Sequence, residues 1–132
     1  MGRPQSESLT QREAEIMNVL WTKGPSTADE IREALPDHPH DSSVRTKLRV
    51  LEEKGHVRHD LVGRAYVYRA AVRRSSMERK AVRGLLQRFF SGSAEGLLLR
   101  LIEDKHITQE QLAELQAEQK DAESKQTQDR AS

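Results

Sequence analysis

A run of hydroxyl and cationic side chains in the middle of the chain has the residue types that contact nucleic acids. Val44, Leu48 and Leu51 recur at spacings of four and three, which predicts a helix that buries this face. The opposite face carries short hydroxyls mixed with long cations, with a lysine near its flank: Ser42, Ser43, Arg45, Thr46, Arg49 and Lys47. Arginine can bond guanine through two hydrogen bonds at once, and hydroxyls can bond bases or phosphates. This face is therefore a candidate for reading DNA.

A second candidate contact follows in residues 56–70, where the apolar period changes. Tyr66 and Tyr68 favour a strand, and Val62-Gly63 favours a turn, so the segment is predicted to form a two-stranded hairpin. Arg64 lies at its tip, beside a glycine that lets the backbone approach a duplex closely. The two tyrosines share one face of a strand, for which packing in the core is favoured. A phosphate contact through the Tyr66 hydroxyl is the alternative.

Three short helices are predicted to position these residues. The first begins at a capping box from Thr10 to Glu13, and the second at a box from Thr27 to Glu30. The third begins at Asp41 or Ser42 as N-cap and ends at Gly55. Three helices followed by a hairpin is the order of a winged helix-turn-helix, whose third helix enters the major groove of DNA. The predicted fold class is mostly α.

Each residue singled out also has an ordinary structural role. Ser42 fits a helix cap, Arg64 fits a turn, and the two arginines of the third helix could pair with Glu52 and Glu53. The set as a whole favours DNA contact more strongly than any single member does.

Charge is distributed unevenly along the chain, although the net charge is only +1. Residues 7–41 carry three basic and eight acidic residues, whereas residues 42–71 carry seven basic and three acidic ones. Residues 72–92 carry six basic residues and one acidic residue, and residues 93–132 carry five basic and nine acidic ones. A basic middle is typical of a nucleic-acid-binding protein, although basic residues that only solvate helices produce the same pattern.

Several classes of function find no support. The 132 residues include no cysteine, which excludes disulfides and thiolate sites. No apolar run approaches the roughly 20 residues of a membrane span, and the first residues lack the apolar core of a signal peptide. We therefore expect a cytoplasmic protein without membrane insertion. The histidines lie near no nucleophile, so we expect no enzyme, no cofactor and no metal. A zinc site built from His38, His40 and a carboxylate is a weak alternative.

The second half of the chain carries more apolar surface than the small winged-helix domain can cover. The residues expected to form a dimer interface are Leu85, Leu86, Phe89, Phe90, Leu97, Leu98, Leu101 and Ile102. Self-association around a two-fold axis would bury them. The alternative is that these helices fold back onto the winged-helix domain of their own chain. The predicted boundaries are a flexible N-terminus at 1–8, a winged-helix domain at 9–71, a helical dimerisation module at 72–119 and a disordered tail at 120–132.

The sequence resembles the BlaI/MecI/CopY family of bacterial repressors over about residues 9–116. The stretches that carry the resemblance are Leu9-Thr10 to Glu13, Ile16-Met17 to Leu20-Trp21, residues 41–46 and 51–55, Gly63 to Tyr68, and Phe89 to Ser93 with Leu97 to Leu99. The resemblance implies a homodimeric repressor of a nearby operon, bound to a double-stranded operator with a TACA/TGTA-like dyad. The alternative is a winged helix that binds proteins without specific DNA binding.

Two departures from the family pattern concern how the protein is released from DNA. Copper-responsive members carry a cysteine motif near the C-terminus, and this chain has no cysteine. In β-lactam-responsive members a membrane sensor-protease cuts an Asn-Phe bond, which corresponds to Arg100-Leu101 here. The resemblance thus implies a cleavage site at Arg100 and Leu101, with a sensor-protease as a further partner.

Overall fold

The computed structural model describes residues 9–131, with side chains as far as residue 127. The predicted flexible segment 1–8 lies outside the described residues. In chain order the elements are α1 (Gln11–Lys23), β1 (Ser26–Thr27), α2 (Ala28–Ala34), α3 (Asp41–Glu53), β2 (Val57–Val62), β3 (Ala65–Ala70), α4 (Arg74–Phe89), α5 (Ala94–Glu103) and α6 (Gln109–Ala131). The predicted fold class is confirmed, because three helices and a hairpin precede a helical C-terminal part.

The chain divides into two compact units, which we call the head (Met1–Gly84) and the C-terminal unit (Leu85–Ser132). The division lies inside α4, later than the predicted boundary at residue 71. The reason is that the first turns of α4 and the residues before it pack on the preceding part of the head. The indole Nε1 of Trp21 donates to the carbonyl of Val72 at 2.9 Å, the Arg74 guanidinium lies 5.5 Å from the Trp21 ring centroid, and Met77 is buried.

Both predicted capping boxes of the head are present. The Thr10 amide donates to Glu13 Oε1 at 2.8 Å, while the Glu13 amide donates to Thr10 Oγ1 at 3.2 Å. Thr27 and Glu30 make the same reciprocal pair at the start of α2. Each box satisfies two amides that a helix leaves without an intrahelical partner. These local hydrogen bonds explain why the starts of α1 and α2 could be predicted from sequence.

The core of the head is built from the helical faces that the apolar periodicity predicted. Its buried members come from α1, α2, α3 and β2, and from the residue that follows α2: Ile16, Met17, Leu20, Ala28, Ile31, Leu35, Val44, Leu48, Leu51 and Val57. Full burial of one large aliphatic side chain contributes about 1.5–3 kcal/mol. This cluster therefore fixes the rotation of α3 about its own axis.

A buried ion pair crosses the same core. The carboxylate of Glu13 is only 1% exposed, and Lys54 Nζ lies 3.0 and 3.2 Å from its two oxygens. Burial raises the pKa of Glu13, but hydrogen bonds from Thr10 and Lys54 act in the opposite direction and leave the pKa below its usual value. Glu13 thus caps α1 and also ties α1 to the C-terminal end of α3. The sequence pattern predicted only the cap.

The sheet has three antiparallel strands in the order β1-β3-β2. The predicted hairpin is present, but β1 adds a third strand through the pairs Ser26↔Tyr68 and Thr27↔Val67. A strand of two residues is too short to show an alternating pattern in the sequence, so β1 is defined only by its pairing with β3. The turn also differs from the prediction, because Val62 still pairs with Ala65 and the two-residue loop is Gly63 and Arg64. Gly63 has φ +64°, a conformation that favours glycine.

The C-terminal unit differs from the head, because none of the side chains described in it, at residues 85–127, is buried. Its α6 continues to Ala131, so the prediction of a disordered tail from residue 120 is wrong for residues 120–131. The polar composition that indicated disorder consists largely of Ala, Gln, Glu and Lys, which are good helix formers, and it contains no Gly or Pro. Within the part of the chain that the structure describes, no helix is both long and apolar enough to cross a membrane.

Candidate nucleic-acid interface

The helix α3 is fixed at both ends and along one face. His40 is its N-cap and accepts a hydrogen bond from the Ser42 amide at 3.2 Å, so the predicted N-cap, Asp41 or Ser42, lies one or two residues too late. At the other end the His56 amide donates to the carbonyl of Leu51 at 2.9 Å, and Gly55 has φ +84°. This is the Schellman arrangement expected of a glycine just beyond a helix. The helix therefore presents a defined outer face.

The structure places the predicted contact residues of α3 on that outer face. The side chains that are exposed are Ser42, Ser43, Arg45, Thr46 and Arg49, and Lys47 at the flank is half-buried. Val44, Leu48 and Leu51 lie in the core on the other side. Serine, threonine and arginine on an exposed helix face can donate hydrogen bonds to base edges or to phosphates.

Several of these side chains already have partners at the start of α3. Arg45 Nε donates to Asp41 Oδ2 at 2.8 Å, and this bond raises the pKa of Arg45. Thr46 Oγ1 donates to the Ser42 carbonyl at 2.8 Å, while Ser42 Oγ lies 2.8 Å from His40 Nδ1. Among the described residues, no ion pair joins Arg45 or Arg49 to Glu52 or Glu53, so the alternative pairing considered from the sequence is absent there.

The pairing of Asp41 with Arg45 was not predicted, although the spacing of four residues on one helix was a usable signal. A second bond that was not predicted joins α3 to the wing, the hairpin of β2 and β3. His59 Nδ1 lies 2.5 Å from Glu52 Oε1, a pair that local spacing does not reveal. Arg45 and Tyr68 are also electrostatically coupled, since the charge of Arg45 opposes the rise in the pKa of Tyr68 that burial causes.

The wing carries its predicted cation at the tip. Arg64 is exposed and, among the described residues, has no ion pair or side-chain hydrogen bond. Tyr68 packs against the core as predicted, but Tyr66 is 50% exposed and pairs across the strands with Leu61, which is 65% exposed. The prediction of core packing is thus wrong for Tyr66, because this residue lies in the outer part of the hairpin, where residues 58–66 are all exposed. The Tyr66 ring meets the His59 ring edge-on at 4.9 Å.

The loop histidines have roles other than the ligand set considered for zinc. His40 caps α3, and His38 Nδ1 lies 3.8 Å from Glu33 Oε2. In the residues that the structure describes, no three His, Cys, Asp or Glu side chains are arranged to hold a metal ion.

The apolar residues expected at a dimer interface lie on α4, directly after its end and on α5. Leu85 and Phe89 are exposed, and those that are half-exposed are Leu86, Phe90, Leu97, Leu98, Leu101 and Ile102. The bond between Arg100 and Leu101 lies inside α5, and Arg100 Nη1 lies 3.3 Å from Glu103 Oε2. A protease would therefore meet this bond in a helical backbone.

Three helices, a three-stranded antiparallel sheet and an exposed helix face rich in cations and hydroxyls define a winged helix-turn-helix protein. The family model described as penicillinase repressor matches residues 9–121, and the chain belongs to this family. The chain is similar to the methicillin resistance regulatory protein MecI of Staphylococcus aureus strain N315, with 24% identity over 109 residues, which cover 81% of this chain and 89% of MecI. It is also similar to the penicillinase repressor of Bacillus licheniformis, with 26% identity, covering 81% and 85%.

The family assignment confirms the resemblance noted from the sequence. The family consists of transcriptional repressors, which are not enzymes, and the chain is a repressor of this type.

Proposed function

We propose that this chain is a sequence-specific DNA-binding repressor that acts in the cytoplasm as a homodimer on a two-fold symmetric operator. The observation that carries the proposal is the outer face of α3. Its cations and hydroxyls are exposed, and three buried residues on the opposite side, Val44, Leu48 and Leu51, fix its direction.

The chemistry of this face assigns different tasks to its members. Arg45 is held by Asp41 and keeps free donors that match the two acceptors of guanine in the major groove. Arg49, which has no ion pair among the described residues, lies one turn further along and is suited to a phosphate or a second base. Ser42, Ser43 and Thr46 would complete the set through their hydroxyl groups, and Lys47 through its ammonium group.

The wing would hold the DNA backbone. Arg64 at the tip and the half-exposed Tyr66 both present donors that a phosphate oxygen can accept. Such contacts position a protein on the duplex without reading its sequence, so they would strengthen binding to all sequences alike.

The homodimer is supported by the apolar surface of the C-terminal unit. None of its described side chains is buried, and two large apolar ones are mostly exposed, Phe89 to 74% and Leu99 to 56%. Large apolar surfaces of this kind mark protein interfaces, and a two-fold dimer would present two heads to a palindrome. The half-site centres would then lie about one helical turn apart, roughly 34–36 Å, or a multiple of that distance.

The test is binding of the full chain to the DNA upstream of its own gene, measured by fluorescence anisotropy. Arg45→Ala should weaken specific binding by about 1–3 kcal/mol and relax base preference at one position of each half-site. Arg64→Ala should weaken binding to all duplexes and lower the salt slope by about 1. Lys125→Ala, which removes an exposed cation of α6, is the matched control and should change neither.

Equal binding of the wild-type chain to every duplex would contradict this proposal. It would favour the second reading, a winged helix that binds proteins without specific DNA binding.

Release from DNA by a sensor-protease belongs to the same proposal as a further step. Cutting between Arg100 and Leu101 would split α5 and remove α6, and loss of the dimer would weaken DNA binding by mass action. The test is an immunoblot of the native cell under cell-wall stress. A shortened chain that accompanies derepression would support cleavage, and an intact chain during full derepression would exclude it.

A further inference from the structure

Asp41 and Arg45 form an ion pair on the outer face of α3, one helical turn apart. Arg45 Nε donates to Asp41 Oδ2 at 2.8 Å. The other carboxylate oxygen, Oδ1, is buried and has no hydrogen-bond partner within the described part of the chain. The bond to Arg45 is thus the one side-chain hydrogen bond that this carboxylate makes among the described residues. Both side chains are otherwise about half exposed, so the pair lies at the surface that the proposed function directs at DNA.

The geometry of the pair decides which donors Arg45 has left. A guanidinium has five N–H donors in one plane, one on Nε and two on each terminal nitrogen. Asp41 occupies Nε, which leaves the terminal pair, Nη1 and Nη2, as an end-on fork. Two parallel donors at this spacing match the O6 and N7 acceptors of guanine. An arginine without such a neighbour would sample many rotamers, and ordering it on binding would cost conformational entropy.

We propose that Asp41 is a specificity-determining residue that acts through Arg45, holding its guanidinium end-on to a guanine without contacting the base itself. This inference rests on the proposed DNA-binding function. The carboxylate also brings a negative charge close to the phosphates, which opposes binding to any duplex. Asp41 would thus lower affinity for all sequences while it increases discrimination at one base pair.

A purely structural role for Asp41 makes a different prediction. As the first residue of α3, a carboxylate favours the positive end of the helix. Its removal would then lower stability and change binding to all sequences by the same factor. The ratio of affinities for operators that differ at one base is therefore the readout that separates the two roles.

The experiment measures the full chain against a set of duplexes in which each position of one operator half-site is replaced in turn. For the wild-type chain we expect one position at which guanine is preferred by about tenfold to a hundredfold. Asp41→Ala should reduce that ratio by at least about threefold. It should leave the ratios at other positions unchanged and keep or increase affinity for an unrelated duplex. Asp41→Asn retains an acceptor oxygen for Arg45 Nε and should keep more of the preference.

Two further variants complete the design. Asp60→Ala removes an exposed carboxylate that pairs with an arginine of the wing, Arg69, at 3.2 Å. It is the matched control for loss of one negative charge and should leave the base ratio unchanged. In an Arg45→Ala background, Asp41→Ala should have no further effect on that ratio. Thermal unfolding of each variant, monitored by circular dichroism, verifies that the head is folded.

Three outcomes would overturn the inference. The first is a wild-type base ratio in Asp41→Ala, and the second is the same fall in the ratio with and without Arg45. The third is an Arg45→Ala chain that keeps the guanine preference, since other residues would then read that base. All three leave the repressor function intact. A wild-type chain without any base preference would contradict the proposed function itself and this inference with it.

Discussion

The head and the C-terminal unit use their apolar residues in opposite ways. In the head, ten apolar residues form one buried cluster, and three helices and a strand contribute to it. In the C-terminal unit, α5 has no buried residue, and several leucines and both phenylalanines remain exposed or half-exposed. A domain normally needs its own buried core to fold. The head therefore has a core of its own within one chain, whereas the apolar residues of the C-terminal unit are the surface that the proposed homodimer would bury.

The same contrast explains how the two units would divide the work of a repressor. A rigid core gives α3 a fixed direction, which base reading needs because a hydrogen bond tolerates little displacement. In the proposed homodimer, the exposed apolar surface of the C-terminal unit would join two chains and so bring two such helices to one DNA site. Three predictions test this division, in order of decreasing effect.

The largest effect is expected when the C-terminal unit is removed. A chain that ends at Gly84 retains Met77 and the contact between Trp21 and Val72, so it should unfold cooperatively and sediment as a monomer. Its affinity for the operator should fall by about 10²–10⁴-fold, because the two half-sites are no longer bound by linked heads. Sedimentation velocity and fluorescence anisotropy measure the two properties.

A matched truncation sharpens this result. A chain that ends at Gln119 lacks only the polar end of α6 and should remain a dimer with operator affinity close to that of the full chain. A dimeric head ending at Gly84 would contradict the assignment of self-association to the C-terminal unit.

An intermediate effect is expected from apolar truncations placed in each unit. Leu48→Ala removes a fully buried side chain of the head and should lower the free energy of unfolding by about 2–5 kcal/mol. Phe89→Ala removes a side chain that is mostly exposed within one chain, so it should weaken dimerisation instead, by at least about tenfold.

Protein concentration separates these two variants. The thermal midpoint of the head with Leu48→Ala should be shifted at every concentration, whereas the effect of Phe89→Ala should shrink as concentration rises. A concentration-independent loss of the same size in both variants would show that Phe89 belongs to a core within one chain.

The smallest effect is expected from Glu13→Gln, which keeps the cap of α1 but removes the charge that faces Lys54. At neutral pH this variant should lose about 1–2 kcal/mol of unfolding free energy. Because the pKa of Glu13 in the folded protein is below its usual value of 4.5, the carboxylate stabilises the head fully above that pH. This contribution is lost as the pH falls through the lowered pKa.

The stability of the wild-type chain and of Glu13→Gln should therefore converge in acid. Urea unfolding between pH 3 and pH 7, monitored by circular dichroism, measures the difference. A gap of constant size over this range would mean that the Glu13 charge contributes nothing to stability.

Local patterns were sufficient to predict most of the head. Capping boxes act within four residues, so Thr10 and Thr27 marked the starts of α1 and α2 correctly. The spacing of Val44, Leu48 and Leu51 is a property of a single helix, and it predicted which side of α3 faces outward. The contact residues of that side could be named for the same reason, although their binding to DNA stays a prediction.

Other features depend on partners that are distant along the chain, and only the tertiary structure decided them. The strand β1 exists because β3 lies beside Ser26 and Thr27, and Glu13 meets Lys54 only after α1 packs against α3. Likewise, the buried position of Met77 moves the domain boundary into α4.

The sequence by itself determined the starts of α1 and α2, the outer face of α3 and the family, because each depends on short-range spacing and residue type. The tertiary structure decided the third strand, the buried ion pair and the exposure of Tyr66. It also decided which unit has a core of its own. The physical reason is that burial and long-range pairing are properties of two segments brought together, and the pattern of one segment does not contain its partner.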